Sequence, residues 1–329
     1  MATSLPTDMK FRDPFFQTGY SEVMAQAVDK FNAGSNGTIL LRSNRKPGDF
    51  DYAAFFQNAG GLVSRQDQTS VASAAAKKLT QAEIASVKLN RKIGPVEWTR
   101  SALLKPGLSM DAIRVAAGQQ TAKDVQAEML NNALRAARAA LNAQSANKHT
   151  VATNGTVNTA ALVDALAKFG DAASRIDAWV MHSKVVFDLL QYQISPTNNG
   201  DVVANTAVVQ ASPLTLNRPI IVTDSDSLLV TSAGSNPTTD YFTLGLTSGA
   251  LVVEETEEEY ITMQEVTGLE QIMIRLQGEY AYNLGIKGFT WDVANGGKNP
   301  ADAAVGTGTN WDKIYSSHKD LAGVVIQSR

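Results

Sequence analysis

The sequence predicts an α+β protein with two lobes, and three stretches carry that prediction. Apolar residues recur at helical spacing from Ser109 to about Ala143, which indicates one long amphipathic helix. Two strand-like segments flank a polar stretch at Gln66 to Thr80, a pattern typical of a long hairpin. Beyond residue 156, short helical and strand-like segments alternate, which predicts a second lobe.

The long helix is predicted to have one apolar and one polar stripe. Ser109 is a suitable N-cap, whereas Gly118 and Thr121 lower helix propensity and predict a bend or break. The apolar stripe consists of Val125, Met129, Ala133, Ala137 and Leu141. The polar stripe consists of Glu128, Asn131, Arg135, Arg138 and Asn142.

Composition excludes several classes of protein. The chain has 329 residues, of which 44% are hydrophobic and 19% charged, so it can bury a large core. The absence of cysteine excludes disulfides, thiolate catalysis and cysteine-bound zinc. The sequence contains no apolar run of about 18 residues, and its first residues do not resemble a signal peptide. A net charge of −3 argues against wholesale nucleic-acid binding.

The first third is predicted to form an arm followed by strands. Residues 1–37 contain one amphipathic piece, Ser21 to Phe31, among Pro and Gly residues. A short strand at 38–41 ends in a turn at 45–49. The aromatic cluster at 50–56 and the alternating segment at 87–100 are the expected flanks of the projecting hairpin.

The remainder is predicted to hold short helices and strands. Asn158 or Thr159 can cap a helix over 160–169 that ends at Gly170. Ser183 can cap a second helix over 184–193. Residues 260–292 alternate, and three glycines within them predict a bent strand or two successive strands. Further strands are predicted at Ala178–Met181, Pro219–Asp224, Tyr241–Leu246, Ala250–Val253 and Leu321–Ile326.

Few residues could carry chemistry. The histidines, His149, His182 and His318, lie in different sequence surroundings. A Ser/His/Asp triad could be built around His182, but no Gly-x-Ser-x-Gly elbow accompanies it, which favours a structural histidine before a helix. The acidic run at 254–259 could bind a cation, although such runs are more often solvated or face a basic neighbour. The sequence therefore predicts no catalytic, metal or cofactor site.

The order of these elements resembles that of the major capsid proteins of tailed bacteriophages, which have the Hong Kong 97-like fold. That family combines an N-terminal arm, an extended E-loop, a peripheral (P) domain with a long spine helix, and an axial (A) domain. The resemblance covers nearly the whole chain at the level of element order. The local likeness to the A-domain helices, an A-domain strand and the P-domain closure lies in Ala161–Gln191, Pro219–Asp224 and Leu284–Asp292, respectively.

The resemblance implies five segments. They are the arm at 1–37, the strand and E-loop hairpin at 38–107, the P domain with its spine helix at 108–155, the A domain at 156–260, and a return to the P domain with a C-terminal tail at 261–329. Because the chain opens at Met1 with the arm included, we expect that no N-terminal scaffolding segment has been removed.

The same resemblance implies a structural subunit rather than an enzyme. Its copies would form the hexamers and pentamers of an icosahedral shell around double-stranded phage DNA, assembled in the host cytoplasm and present in the virion. Further candidate partners are a scaffolding protein, a portal and a cement protein, with DNA met by non-specific proximity and no membrane. The nearer alternative is an encapsulin-type compartment shell, and a remote one is a soluble hydrolase that uses His182.

Charge predicts where the copies meet. Residues 1–105 contain 14 Lys+Arg and 9 Asp+Glu, a net charge of +5, whereas the remainder contains 15 and 23, a net charge of −8. We expect the basic and acidic parts to contact each other across subunits, and the alternative is that the glutamates face solvent. The candidate contact residues are Arg45, Lys46, Lys88, Arg91, Lys92, Glu254, Glu255, Glu257, Glu258 and Glu259.

Two further expectations concern the hairpin. Its polar tip has too little apolar surface to order itself, so we expect it to lie over a neighbouring subunit. Some relatives join a lysine to an asparagine covalently, and Lys77, Lys78 and Lys88 lie in the corresponding element. That chemistry needs a deprotonated, buried lysine beside a carboxylate. The sequence has no local sign of such a site, so we expect no cross-link.

Overall fold

The chain folds around two β-sheets and one long helix. The computed structural model describes residues 20–21, 32–44, 46–56, 81–99, 101, 110–152, 155–194, 216, 218–232, 237–268 and 270–329, with scattered positions between 63 and 78. The strands are β1 (Ile39–Ser43), β2 (Phe50–Phe56), β3 (Gln81–Thr99), β4 (Lys148–Thr150), β5 (Ile176–His182), β6 (Ile220–Thr223), β7 (Leu229–Thr231), β8 (Thr239–Thr247), β9 (Leu251–Val266), β10 (Met273–Ile286), β11 (Phe289–Trp291), β12 (Trp311–Lys313) and β13 (Gly323–Ser328). The α-helices are α1 (Met110–Asn142), α2 (Thr159–Phe169), α3 (Ser183–Ile194), α4 (Val293–Gly296) and α5 (Asp302–Val305).

Helix α1 confirms the predicted long helix. It has 33 residues and is about 50 Å long at a rise of about 1.5 Å per residue. The predicted break at Gly118 and Thr121 is wrong, because the helix runs through both positions. The Thr121 hydroxyl donates to the Ala117 carbonyl, 2.8 Å away, and is therefore satisfied within the helix. Position 109 lies outside the described residues.

Both stripes of α1 are used for packing. All five members of the predicted apolar stripe are buried. The polar stripe bonds to other elements rather than to solvent alone. Arg138 Nη1 donates to the Leu229 carbonyl at 2.8 Å, and Asn131 Oδ1 accepts from the Ser225 hydroxyl at 2.6 Å. Tertiary contacts on both sides therefore stabilise a helix that contains poor helix formers.

The five-stranded sheet has the order β1-β9-β10-β3-β2. Strands β2 and β3 pair antiparallel from Phe50↔Val87 to Phe56↔Gln81, which confirms the first flank of the predicted hairpin. The predicted second flank is wrong, because residues 81–87 pair with β2 whereas residues 88–99 pair with β10. Most of its polar tip lies outside the described residues. Strand β3 continues to Thr99 and pairs there with β10. The hairpin is thus joined to β10, which also pairs with β9.

The acidic run lies inside one 16-residue strand, β9. The sequence predicted separate strands on either side of the run, and this is wrong. The strand stays continuous because it has β1 on one side at Leu251 to Glu255 and β10 on the other along most of its length. Ladder hydrogen bonds and cross-strand partners offset the poor strand propensity of glutamate.

The alternating stretch after the run is divided between strands. Strand β9 ends at Val266, β10 covers Met273–Ile286, and β11 covers Phe289–Trp291. Gly278 does not end a strand, although the register of β10 against β3 shifts beside it. A Cβ at Gly278 would lie 2.7 Å from Ile261 Cγ1, so close approach of β9 explains the glycine.

The second sheet has the order β4-β13-β8-β5-β6, with β7 paired to β8. Its two faces belong to different cores. Val180 and Val325 pack in the cluster that contains α1, whereas Trp179 and Val324 pack in the cluster that contains α2 and α3. The sheet therefore lies between the long helix and the two shorter helices. Strand β13, the predicted strand-like tail, lies inside this sheet, between β4 and β8.

The ends of α2 and α3 show how local signals act. Asn158 caps α2, because its side chain accepts a hydrogen bond from the Ala161 amide at 2.8 Å. Gly170 follows α2 with φ of 55°, which only glycine adopts readily. At α3 the predicted capping residue, Ser183, is already helical. Here His182 Nδ1 accepts from the Lys184 amide at 3.2 Å.

Candidate subunit-contact site

The predicted basic candidates on β3 and the acidic run on β9 lie in the same five-stranded sheet, with β10 between them. Strand β1 runs parallel to β9 and places Arg42 opposite Glu254. In β10, Asn283 pairs with Glu254 on one side and Lys88 on the other. The sheet order therefore brings the basic first third and the acidic run together within one subunit.

Lys46 joins the turn after β1 to the start of the acidic run. Its Nζ contacts the Asp51 carboxylate and lies 3.0 Å from Glu254 Oε2. The hydrogen bond to Asp51 is the main reason that the pKa of Lys46 is raised, with Glu254 adding to the effect against the cost of burial. Lys46 thus links β2 to β9 electrostatically.

Lys88 makes a similar connection from β3. Its side chain is buried, and its Nζ lies 2.5 Å from Glu257 Oε1. Glu257 itself remains largely exposed. Lys88 is therefore a buried lysine beside a carboxylate, an arrangement that no local pattern predicts, and both groups belong to the same subunit. The absence of a cross-link stays a prediction.

Arg91 lies at the centre of a larger network that joins β3 to α1 and α5. Its Nε is 2.9 Å from Glu128 Oε1, and its Nη2 is 2.5 Å from Asp302 Oδ1. Arg135 of α1 contacts the other Asp302 oxygen at 3.1 Å. Two guanidinium groups and two carboxylates thus alternate, so each charge has an opposite neighbour.

A buried polar contact continues this network into β10. The Tyr282 hydroxyl accepts from Asn132 Nδ2 at 2.8 Å, and the same nitrogen donates to Glu128 at 2.7 Å. Arg135 Nη1 donates to Asn132 Oδ1 at 2.8 Å. Burial raises the pKa of Tyr282 to about 12, so its phenol stays protonated at neutral pH. The Tyr280 ring stacks on Tyr282 with ring centres 6.0 Å apart.

Sequence reasoning missed the partners of Arg91. The helical spacing marks Glu128 only as part of the polar stripe of α1. Asn132 and Tyr282 lie in segments whose sequence predicts only a helix and a strand, respectively. Asp302 is the first residue of α5, in a stretch whose Gly, Asn and Ala content predicts a loop and where no local pattern marks it. Only the fold brings these residues to Arg91.

The remaining candidates are placed differently. Lys92 is exposed and lies opposite Glu279, also exposed, in the register of β3 and β10. The Glu255 carbonyl accepts from the Asn44 amide at 2.9 Å. Glu258 and Glu259 lie within β9, where only their backbone is described. Arg45 lies outside the described residues.

The histidines serve structural contacts. Besides its bond to the Lys184 amide, the His182 ring packs edge-on against Tyr241, with centres 5.2 Å apart. His318 Nε2 lies 3.0 Å from the Lys168 carbonyl oxygen, and His149 Nε2 lies 3.9 Å from Asp164. Among the described residues, no group of three His, Cys, Asp or Glu side chains is placed to hold a metal ion.

No helix in the described part of the chain combines the length and apolar character needed to cross a membrane. The longest, α1, carries charged residues along its length.

The chain is similar to capsid proteins in family and in fold. A family model described as major capsid protein 13-like matches residues 8–325. No curated protein matches the chain. Among solved structures, the capsid of Ralstonia phage GP4 is similar with a TM-score of 0.51 and 10% identity, over 89% of this chain and 87% of that one. A structure from Microbacterium phage Oxtober96 is similar with a TM-score of 0.50 and 10% identity, over 90% of this chain and 91% of that one.

These likenesses confirm the predicted α+β, Hong Kong 97-like capsid fold. The protein is a structural capsid subunit of a multimeric shell, located in the virion, and it is not an enzyme. The hydrolase alternative at His182 is therefore wrong. Because the family model spans nearly all of its length, the chain belongs to the major capsid protein 13-like family.

Proposed function

We propose that copies of this chain self-assemble into hexamers and pentamers of an icosahedral shell that encloses double-stranded phage DNA. Assembly takes place in the host cytoplasm, with a scaffolding protein, a portal and a cement protein as further partners. Membership in a major capsid protein family over residues 8–325 is the observation that carries the proposal. The five-segment division, from the arm at 1–37 to the tail at 261–329, is part of it.

Electron microscopy of the expressed chain tests this proposal directly. We expect closed particles whose image reconstruction resolves six-fold and five-fold capsomers. A chain that stays monomeric across concentration and salt would contradict the proposal. Particles recovered from infected cells should contain DNA, whereas particles filled with a cargo enzyme would support the encapsulin-type alternative.

We propose different roles for the charged candidates. Lys46, Lys88, Arg91 and Glu254 act mainly within the subunit, because each has an ion-pair partner there. Lys92 and Glu257 expose enough of their side chains to reach a neighbouring copy. Arg45, Glu255, Glu258 and Glu259 remain part of the proposal as contact residues on the charge pattern of the sequence alone.

Salt dependence tests the contact role of these charges. At about 1 M salt the Debye length falls to about 3 Å, so exposed pairs between subunits weaken while partly buried pairs within them persist. We expect slower assembly in high salt, and the same from Lys92→Glu, with unchanged thermal stability of the unassembled subunit. Equal assembly rates in low and high salt would leave the acidic run as a solvated face.

A further inference from the structure

Helix α3 has apolar residues on its exposed side as well as on its buried face. Its sequence is SKVVFDLLQYQI. Val185 and Leu189, four residues apart, are fully buried against the second sheet. Phe187 and Leu190 lie on another side of the helix, three residues apart, and are 68% and 38% exposed. The helix therefore has a second apolar stripe without a partner in the described part of the chain.

Strand β6 extends this apolar surface. It is the last of the described strands of its sheet, beside β5. Ile220 packs against the cluster that contains α3, and Val222, two residues further, points to the same face of the sheet. Val222 is 53% exposed. Phe187 and Leu190 lie on α3, Val222 lies on the face of the sheet that α3 covers, and we name these three residues the α3–β6 patch.

The charged side chains of α3 are paired with each other. The charged residues of α3 are Lys184 and Asp188, whose side chains bond to each other at 2.7 Å. Lys184 also lies over the Tyr241 ring. An acidic or basic ligand would find no uncompensated charge on this helix. An apolar, charge-depleted surface with an aromatic at its centre is typical of permanent contacts between identical subunits.

We propose that the α3–β6 patch is a contact surface that binds a second copy of this chain within the shell, with Phe187 as its central anchor. The inference rests on the proposed shell function and specifies which face of the subunit joins its neighbour. Family membership does not identify this face, whereas the exposed stripe on α3 and the exposed edge residue on β6 do so independently.

Two substitutions and a matched control test the proposal. Phe187→Asp should leave the melting temperature of the unassembled subunit unchanged, because the Phe187 side chain is 68% exposed there, and Leu190→Asp should lower it no more than the control variant below. Each should raise the subunit concentration needed for assembly about tenfold or more. Val293 on α4 is 37% exposed, almost the same as Leu190, and Val293→Asp should assemble like the parent chain.

A thiol probe provides a readout that does not depend on disrupting assembly. The chain has no cysteine, so Phe187→Cys introduces a single reactive thiol. A maleimide should label it rapidly in dissociated subunits and at least about tenfold more slowly in shells. Normal assembly of Phe187→Asp together with equal labelling rates would overturn the proposal and leave the shell function standing.

Two other outcomes also decide the matter. A lower melting temperature of the dissociated Phe187→Asp subunit would mean that the chain covers its own patch, which overturns the inference. Failure of the parent chain to assemble under any condition would instead reject the shell function, and the contact surface with it.

Discussion

Replacing Arg91 by methionine removes the cation that joins β3 to α1 and α5. The guanidinium contacts Glu128 at 2.9 Å and Asp302 at 2.5 Å. Methionine retains much of the apolar stem of arginine and loses its charge and donors. The variant therefore leaves two neighbouring carboxylates without the group that they share.

The expected loss follows from the burial of the network. Exposed ion pairs contribute about 0–1 kcal/mol, whereas removing one partner of a buried pair costs about 3–5 kcal/mol. Arg91 is mostly buried, but Glu128 is about a third exposed and Asp302 about half. Arg135 still neutralises part of the Asp302 charge. We therefore expect Arg91→Met to lower the free energy of unfolding by about 1–3 kcal/mol.

Urea unfolding of the unassembled subunit measures this loss. Lys298→Met is the matched control, because Lys298 pairs with Asp49 at 2.9 Å in a mostly exposed position, and it should leave the free energy of unfolding almost unchanged. A double-mutant cycle of Arg91→Met with Asp302→Asn should give a coupling energy of about 0.5–3 kcal/mol. Equal losses in the two methionine variants, or no coupling, would refute a stabilising role for the network.

Three further predictions concern the sheet and the hairpin. Gly278→Ala should lower the free energy of unfolding by about 1–3 kcal/mol, since its Cβ would lie 2.7 Å from Ile261 and 2.9 Å from the Tyr260 carbonyl oxygen. Gly34→Ala is the control, because a Cβ at Gly34 has nothing within 4 Å. Equal urea midpoints for the two variants would contradict the argument from close approach. Deleting Gln66 to Thr80 should leave the melting temperature of the body nearly unchanged and impair assembly in microscopy, so normal shells would argue against a role of the hairpin in neighbour contacts. Denaturing gels of mature particles should contain a single monomer band, and a ladder of higher bands would show that a covalent cross-link forms after all.

The sequence by itself determined the elements whose signals are short-range. The 3.6-residue spacing of apolar residues located α1 and identified its buried stripe, because side chains four residues apart necessarily share a helix face. Asn158 and Gly170 marked the ends of α2, because capping depends on groups within a few residues. The order of hairpin strands, long helix and second lobe also followed from such local patterns.

Only the tertiary structure decided which distant segments meet. Strand β1 pairs with β9, more than 200 residues away in the chain, and this pairing keeps β9 continuous through the acidic run. It also pairs Lys46 with Glu254 inside one subunit, where the charge pattern had indicated contacts between subunits. Charge composition records the sign of a residue but not the identity of its neighbours. Neighbours are set by sheet order and register, which result from packing of the whole chain.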